Sequence, residues 1–387
     1  MIAIINAKII TITHGIIENG VILIDNGKIT AVGESLEIPT DADIINCQNK
    51  WVTPGLIDAH THLGVYEETV DWAGADGNEA TNPSTPHVRA LDAINPLEQG
   101  FIDAYKGGVT TVQIMPGSAN VIGGEMSILK TYGRVVEEMV VKELSGVKIA
   151  FGENPKRVYG EKKQMPSTRM GTAAILRENL IKAQNYLIKL EQGINNPDKL
   201  PDKNLKMETL AKVLRKEIPF RAHAHRADDI ITAMRIAEEF DVNLTLEHCT
   251  EGHKIADIIS SKGYSATVGP TLSSRSKIEL AEKGWNTLVD LDKAGVPISI
   301  ITDHPVVPIE FIIICAAIAV REGLDEKTAW EAITINPAKH MGIENKVGSI
   351  DVGKDADIVI WSGNPFDYLT LVEMTIINGK IVYNHFL

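Results

Sequence analysis

The middle of the chain alternates short apolar strands with helices, and this alternation restricts the fold more than any other feature. Eight runs have the character of buried strands: Gly55–Ala59, Val109–Met115, Ser127–Thr131, Val147–Phe151, Phe220–His223, Asn243–Glu247, Ser265–Val268 and Ile298–Thr302. Segments with helical apolar periodicity lie between most of them: Glu98–Lys106, Ile230–Phe240 and Ile309–Glu322. Strands that alternate with helices form parallel βα units. Eight such units predict an α/β protein with a (β/α)₈ TIM barrel, whose active site lies at the C-terminal ends of the strands.

Both ends of the chain have a different pattern, in which β-branched runs are separated by turn residues. Asn26-Gly27 separates two such runs near the N-terminus, and Asn378-Gly379 does the same near the C-terminus. An Asn-Gly pair between apolar runs is a strong signal for a β-hairpin. We therefore expect one small β-sandwich domain built from residues 1–54 and 347–387, and a barrel domain over residues 55–346.

The composition is that of a globular protein and excludes several classes of partner. The chain has 387 residues, of which 44% are hydrophobic and 23% charged, and its net charge is −13. A negative surface argues against a nucleic acid or an anionic membrane as partner. The apolar run Phe311–Val320 is about half the length that a membrane span needs. Three cysteines without a CxxC pair argue against a disulfide framework and favour a cytoplasmic location.

Histidines and one aspartate stand at the ends of four predicted strands. His60 and His62 follow the first strand, and residues i and i+2 of a strand point to the same face, so both imidazoles can reach one ion. His223, His248 and Asp303 stand at the ends of the fifth, sixth and eighth strands. Several imidazoles with a carboxylate suit zinc and similar divalent metals.

Each of these residues alone has a purely structural explanation. A buried histidine is more often a hydrogen-bonded core residue than a metal ligand, and Asp303 could cap the following helix. Five such residues at the same end of different barrel strands are better explained by a metal site.

The sequence around these residues resembles the amidohydrolase superfamily. The run Val52–Leu63 is similar to the opening signature of the superfamily, and His223–His225, Leu246–His248 and Thr302–Pro305 are similar to its later blocks. The run Val347–Val359 is similar to the segment that returns to the small sheet domain. The resemblance covers nearly the whole chain and is nearest to the imidazolonepropionase-like and prolidase-like branch. It is specific for the superfamily and much less specific for a substrate.

Carried over by position, the resemblance implies a metal-dependent amidohydrolase. It implies five metal-site residues: His60, His62, His223, His248 and Asp303. Asp303 is then also the base that takes a proton from the metal-activated water, and either the metal or His248 stabilises the developing oxyanion. His225 is given a substrate-binding role or a role in supporting the metal ligands. The implied reaction is hydrolysis of a C–N bond in a cyclic amide, an N-acyl compound or a small dipeptide.

The fourth strand leaves the number of metal ions open. Many members of the superfamily carry a carboxylated lysine there that bridges two ions, and Lys148 is in a plausible position. Glu153 follows the same strand, where a shorter carboxylate can reach an ion directly, and we favour Glu153. Glu153 could instead cap the next segment, and the enzyme would then use one metal. The expected cofactor is one or two divalent ions, with Zn²⁺ first and Mn²⁺, Fe²⁺ or Co²⁺ admissible.

Three further polar residues follow the fourth strand in a predicted loop over the barrel mouth: Arg157, Tyr159 and Arg169. Solvation of a loop explains any one of them, but loops at this end of a barrel supply substrate contacts. We therefore expect these residues and His225 to bind a small-molecule substrate. A homo-oligomer is expected on the general frequency of such assemblies.

Two other activities and one non-catalytic role remain as alternatives. A mononuclear imidazolonepropionase-like ring opener and a deaminase use similar ligands with a single metal, and the absence of a bridging carboxylate would favour the deaminase. A barrel protein that has lost its chemistry usually lacks metal ligands. Here all five implied ligands are present.

Overall fold

Two eight-stranded sheets organise the chain in a computed structural model that describes residues 1–387. The first strands are β1 (Ile2–Ile10), β2 (Ile16–Asp25), β3 (Lys28–Gly33), β4 (Asp43–Asn46) and β5 (Trp51–Pro54). The middle strands are β6 (Leu56–Thr61), β7 (Val109–Ile114), β8 (Ile122–Lys130), β9 (Val140–Ala150), β10 (Phe220–Ala224), β11 (Leu244–His248), β12 (Ala266–Val268) and β13 (Ile298–Ile300). The last strands are β14 (Ile358–Trp361), β15 (Val372–Ile377) and β16 (Lys380–Asn384).

Both ends of the chain form a single sheet with the order β16-β15-β14-β5-β1-β2-β3, in which β4 also pairs with β1. Asn26-Gly27 connects β2 to β3 and Asn378-Gly379 connects β15 to β16. All four of these residues have positive φ, which the type I′ turn of a two-residue hairpin requires. Both predicted hairpins are therefore confirmed, and isoleucines from the two ends of the chain share one buried core.

The middle strands form a nearly closed barrel in sequence order from β6 to β13. The barrel closes where the amide N–H of Asp303 donates to the carbonyl of His60 and that of His62 donates to the carbonyl of His304. The (β/α)₈ architecture is thus confirmed, and the metal-site candidates lie at this seam and at the ends of β10 and β11.

One strand runs against the prediction, because β8 is antiparallel to both β7 and β9. The expectation of a parallel third βα unit is therefore wrong. The segment between β7 and β8 contains no helix, and it is too short for the crossover that parallel neighbours need. The chain makes a hairpin there instead.

Eleven helices complete the structure. They are α1 (Gln99–Lys106), α2 (Val136–Met139), α3 (Glu153–Glu161), α4 (Arg169–Asn195), α5 (Leu205–Leu214), α6 (Ala227–Glu239), α7 (Ala256–Ser261), α8 (Asn286–Lys293), α9 (Ile312–Arg321), α10 (Glu326–Glu331) and α11 (Ile335–Met341). The three helices predicted from periodicity correspond to α1, α6 and α9. None of the helices combines the length and the apolar character that crossing a membrane requires.

A buried lysine connects the barrel to the terminal sheet. Lys130 ends β8, and its ammonium lies 2.5 Å from Asp357 Oδ2 and 3.0 Å from Asp355 Oδ2. Burial alone lowers the pKa of Lys130, but the two carboxylates outweigh burial and raise it, so the side chain stays charged. The second oxygen of Asp357 accepts the amide N–H of Asn378 in the hairpin between β15 and β16.

We expect Lys130→Met to lower the free energy of unfolding by roughly 3–5 kcal/mol, because it leaves buried carboxylates without their cation. Urea denaturation followed by circular dichroism measures the change. Lys28→Met is the matched control, since Lys28 pairs with Asp355 from the exposed side and its loss should cost about 1 kcal/mol or less. Equal losses in the two variants would contradict a special role for the buried pair.

Candidate metal centre

Six side chains meet at the C-terminal edge of the barrel in two groups. The ligand atoms of His60, His62 and Asp303 lie within 4.8 Å of one another. The ligand atoms of His223, His225 and His248 do the same. These residues lie in or directly after β6, β10 and β11 and in the turn after β13, so strands that are far apart in sequence build the centre together.

The first group has the spacing of ligands around one ion. Asp303 Oδ1 lies 3.2 Å from His62 Nε2 and 3.4 Å from His60 Nε2. Two ligand atoms that are each about 2.1 Å from a zinc ion, at angles near tetrahedral, stand about 3.2–3.4 Å apart. The side chains of this group therefore fit a divalent ion without rearrangement.

The second group contains buried nitrogen atoms without a partner. The Nε2 atoms of His223 and His248 are buried and make no hydrogen bond, and the centroids of these two rings lie 4.3 Å apart. Buried polar atoms are normally satisfied, so orphaned imidazole nitrogens that converge on one place fit a second ion.

Hydrogen bonds at the other ring nitrogen orient four of the histidines. Each Nδ1 lies 2.8 Å from an oxygen: His60 from Glu247 Oε2, His62 from the carbonyl of Met115, His225 from Thr250 Oγ1 and His248 from the carbonyl of Gly269. A carbonyl or an ionised carboxylate can only accept, so in His60, His62 and His248 Nδ1 carries the proton and Nε2 keeps its lone pair. The Thr250 hydroxyl can donate or accept, so it orients His225 without fixing its tautomer. This is the arrangement found around metal-binding histidines.

The electrostatics keep the ligands in the protonation states that a metal needs. Burial lowers the pKa of His60, His223 and His225 well below the ordinary value, and it lowers the pKa of His248 to about 4. Burial alone raises the pKa of Asp303, but the neighbouring imidazoles of His62, His248 and His60 outweigh burial and bring it below its usual range. Neutral imidazoles and an ionised carboxylate are the forms that coordinate a metal.

The fourth barrel strand brings Lys148 rather than Glu153 to the centre. Lys148 is fully buried, and its Nζ lies 3.0 Å from His60 Nε2. Glu153 stands at the start of α3, where its backbone N–H donates to Glu279 Oε2, and its carboxylate belongs to neither ligand group. The chain turns at Gly152, with φ of 81°, so Glu153 leaves the strand direction, whereas the long stem of Lys148 reaches the mouth from within β9.

The other predicted substrate residues lie on helices, so the expected loop after the fourth strand is wrong. Arg157 is exposed on α3. Tyr159 is buried on α3 and its hydroxyl donates to Asn120. Arg169 begins α4 and donates to Asp229. The hydrogen bonds of Tyr159 and Arg169 thus go to neighbouring elements rather than to either ligand group, whereas His225 is closer to the centre than the sequence indicated.

Two carboxylates of the centre are missing from the residues singled out in the sequence. Glu247 is fully buried and holds His60, and Glu279 is almost fully buried near His225. Glu247 could have been identified from the sequence, because it is the only acidic residue in the strand β11. Glu279 lies in a short 3₁₀ turn after β12, where no periodicity marks it.

Comparison with known proteins agrees with the fold. The sequence profile of the Amidohydrolase family matches residues 51–382. An imidazolonepropionase of Maricaulis maris is 27% identical over 399 residues, which cover 95% of this chain and 94% of that protein. Amidohydrolase tasK of Hapsidospora irregularis is 28% identical over 373 residues, and the match covers 89% of this chain but only 38% of that larger protein. The solved structure of an amidohydrolase from Thermotoga maritima MSB8 superposes with a TM-score of 0.97 at 48% identity, covering 99% of this chain and 100% of that one.

The buried neutral histidines predict that the metal-free protein loses stability in acid. A histidine whose pKa is lower in the folded than in the unfolded protein binds fewer protons when folded, so its contribution is complete above about pH 6.5 and is lost below it. For His248 this loss continues to about pH 4, at roughly 1 kcal/mol per pH unit.

Urea denaturation of chelator-treated protein between pH 8 and pH 5 tests this expectation. His248→Asn should make the pH dependence shallower, and His385→Asn, which changes an exposed histidine, should leave it unaltered. An equally steep dependence in all three proteins would show that the buried imidazole is not its cause.

Proposed function

This chain belongs to the Amidohydrolase family, and from that membership and the geometry of the centre we propose a metal-dependent hydrolase that acts on C–N bonds. The convergence of His60, His62 and Asp303 on one point at the barrel mouth is the observation that carries the proposal. The near-complete coverage of an imidazolonepropionase supports the same class of reaction on small molecules.

We propose two ions, one held by His60, His62 and Asp303 and the other by His223, His225 and His248. Lys148 Nζ lies 3.0 Å from His60 Nε2 in the first group, and the ring of His60 is next to that of His248 in the second group, with 4.5 Å between the centroids. Carboxylated by carbon dioxide, Lys148 would supply one oxygen to each ion. Burial lowers the pKa of Lys148 to about 8, which increases the neutral amine that this modification needs. Zn²⁺ suits the imidazole-rich donor set best, and Mn²⁺, Fe²⁺ and Co²⁺ are compatible with it.

The roles of the protein groups follow from their positions. A bound divalent ion supplies water with a pKa lowered from 15.7 to roughly 7. Asp303 is ionised and is itself a member of the first ligand group, so it can take the proton of the attacking water and return it to the leaving nitrogen. His248 has only Nε2 available, because its Nδ1 donates to Gly269. That atom carries a lone pair, so it can ligate an ion directly, and it can donate to a developing oxyanion only after protonation to the imidazolium. With two ions present it is a ligand.

A mononuclear enzyme is the second candidate, either an imidazolonepropionase-like ring opener or a deaminase. The family resemblance to imidazolonepropionases favours it, and in that case Lys148 stays an amine and His248 is free to stabilise the oxyanion. A non-catalytic role is disfavoured because no member of the ligand set is missing. The number of bound ions separates these possibilities.

The proposal also covers the oligomeric state, the cellular location and the division into domains. We propose a homo-oligomer in the cytoplasm, on the frequency of symmetric assemblies and on three cysteines that form no disulfide. We also propose that residues 1–54 with 347–387 form one domain and residues 55–346 form the other, as the core that the two ends of the chain share suggests.

Elemental analysis of the purified protein tests the binuclear centre. We expect about two metals per chain in the wild type, about one in Lys148→Ala because the bridge is lost, and about two in Glu153→Ala. Glu153→Ala is the matched control, since it removes the other candidate on the same segment. About one metal per chain in all three proteins would support the mononuclear alternative.

The role of Asp303 as the general base is tested by the substitution Asp303→Asn. We expect this variant to keep its circular dichroism spectrum and most of its metal while turnover falls by roughly 10²–10⁴-fold, the usual contribution of a general base. A panel of cyclic amides, N-acyl amino acids and dipeptides provides the substrate, and kcat is measured on the best one. Turnover at the wild-type rate would rule out the role given to Asp303.

A further inference from the structure

The loop after β12 places two charged side chains beside the centre that the proposed chemistry does not use. They are Lys277 and Glu279. A third residue, Lys283, fixes this loop, because its buried ammonium donates to the carbonyls of Pro270 and Ser274 and to Ser273. Lys283 therefore connects the two ends of the loop that carries Lys277 and Glu279.

Glu279 offers an unused acceptor next to the second ligand group. Its side chain is almost completely buried, and its Oε2 accepts the backbone N–H of Glu153 at 2.9 Å. Its Oε1 has no hydrogen-bond partner and lies 3.7 Å from His225 Nε2. A buried carboxylate oxygen without a partner is costly, so this atom fits a donor that is supplied by a ligand.

Lys277 offers an unused cation at the same place. Its ammonium lies 3.7 Å from the same Glu279 Oε1, too far for a hydrogen bond, and the Lys277 side chain is partly exposed. Lys277 Nζ and His225 Nε2 each lie 3.7 Å from Glu279 Oε1, so the ammonium is close to the second ligand group.

We propose that Lys277 and Glu279 recognise the –NH–CHR–COO⁻ part of the substrate, with Lys277 binding the carboxylate and Glu279 Oε1 accepting the N–H. This inference rests on the proposed function and narrows its substrate class to N-acyl amino acids and dipeptides with a secondary amide. Cyclic amides without a carboxylate fall outside this class, and so do amides of proline, whose nitrogen carries no hydrogen.

The spacing of the carbonyl, the N–H and the carboxylate in such a compound is compatible with the positions of the ligand groups, Glu279 and Lys277. In an N-acyl amino acid the N–H is bonded directly to the scissile carbonyl carbon, and the carboxylate carbon is about 3–4 Å from that carbon. With the carbonyl at the ligand groups, the N–H faces the acceptor beside His225, and the carboxylate lies one residue length further, toward Lys277. Hydrogen bonds to charged groups are the strong ones, so this pair gives both orientation and selectivity.

The test compares three matched compounds on metal-replete full-length protein: N-acetyl-L-leucine, its carboxamide and its N-methyl derivative, together with analogues that carry other side chains. Binding is measured by calorimetry and turnover by amino acid release. We expect the free acid to bind roughly 10- to 100-fold more tightly than the carboxamide, the effect of one hydrogen bond to a charged group. Lys277→Met should abolish this preference, whereas Lys277→Arg should keep most of it. Lys293→Met, at an exposed lysine, is the control that should change nothing.

Glu279 is tested by the N-methyl compound. Glu279→Leu should bind the N-methyl and N–H compounds alike, and Glu279→Gln, which keeps an acceptor oxygen, should retain the discrimination. If Lys277→Met weakens acid and carboxamide equally, or if the wild type shows no preference, the recognition site is overturned. Selective binding without turnover of any compound would leave the recognition site standing and contradict the proposed function. Turnover of cyclic amides without a preference for a carboxylate would support the proposed function and contradict the recognition site.

Discussion

The centre depends on one buried carboxylate, Glu247. Its Oε2 accepts from His60 Nδ1 at 2.8 Å and from Thr267, and its Oε1 lies 3.0 Å from His340 Nε2. Burial raises the pKa of Glu247, but His340 and His60 outweigh burial and hold it well below the ordinary value. An ionised group in the barrel interior persists only when its oxygens are satisfied. Glu247 therefore joins the seam strand β6 to β11, β12 and α11, and it sets the orientation of the first metal ligand.

Backbone conformation at the strand ends also shapes the centre. His248 and Asp303 have positive φ, at 73° and 54°. This region costs a residue with a Cβ roughly 1–2 kcal/mol. Such strain persists where the surrounding structure enforces it, which is common at functional sites. Here the backbone bonds of the barrel seam and the contact between His248 and Gly269 hold both side chains toward the mouth.

The sequence was informative where a period or a pattern fixes geometry. The two-residue spacing of His60 and His62 placed both imidazoles on one face, and the Asn-Gly pairs located both terminal hairpins. The sequence was less informative about how far a side chain reaches into the centre and about the direction in which a strand runs. Nothing in a short apolar run tells whether Lys148 reaches further than Glu153, because that depends on where the chain turns at Gly152. The direction of β8 depends on the connection before it, and Glu279 acts through a loop whose shape is set by Lys283 rather than by a periodic pattern.

The reversed strand β8 has a consequence for how this enzyme can diversify. Because β8 starts at the mouth and ends at Lys130 near the terminal sheet, its following segment emerges at the base of the barrel. The mouth thus has one connecting loop fewer than a fully parallel barrel. At the base, the end of β8 is held to the terminal sheet through Lys130. Random insertions after β8 should alter stability and leave selectivity alone, whereas a library aimed at new substrates gains most from the segments after β6, β9 and β12. Evolution of specificity in this architecture is confined to a smaller set of loops.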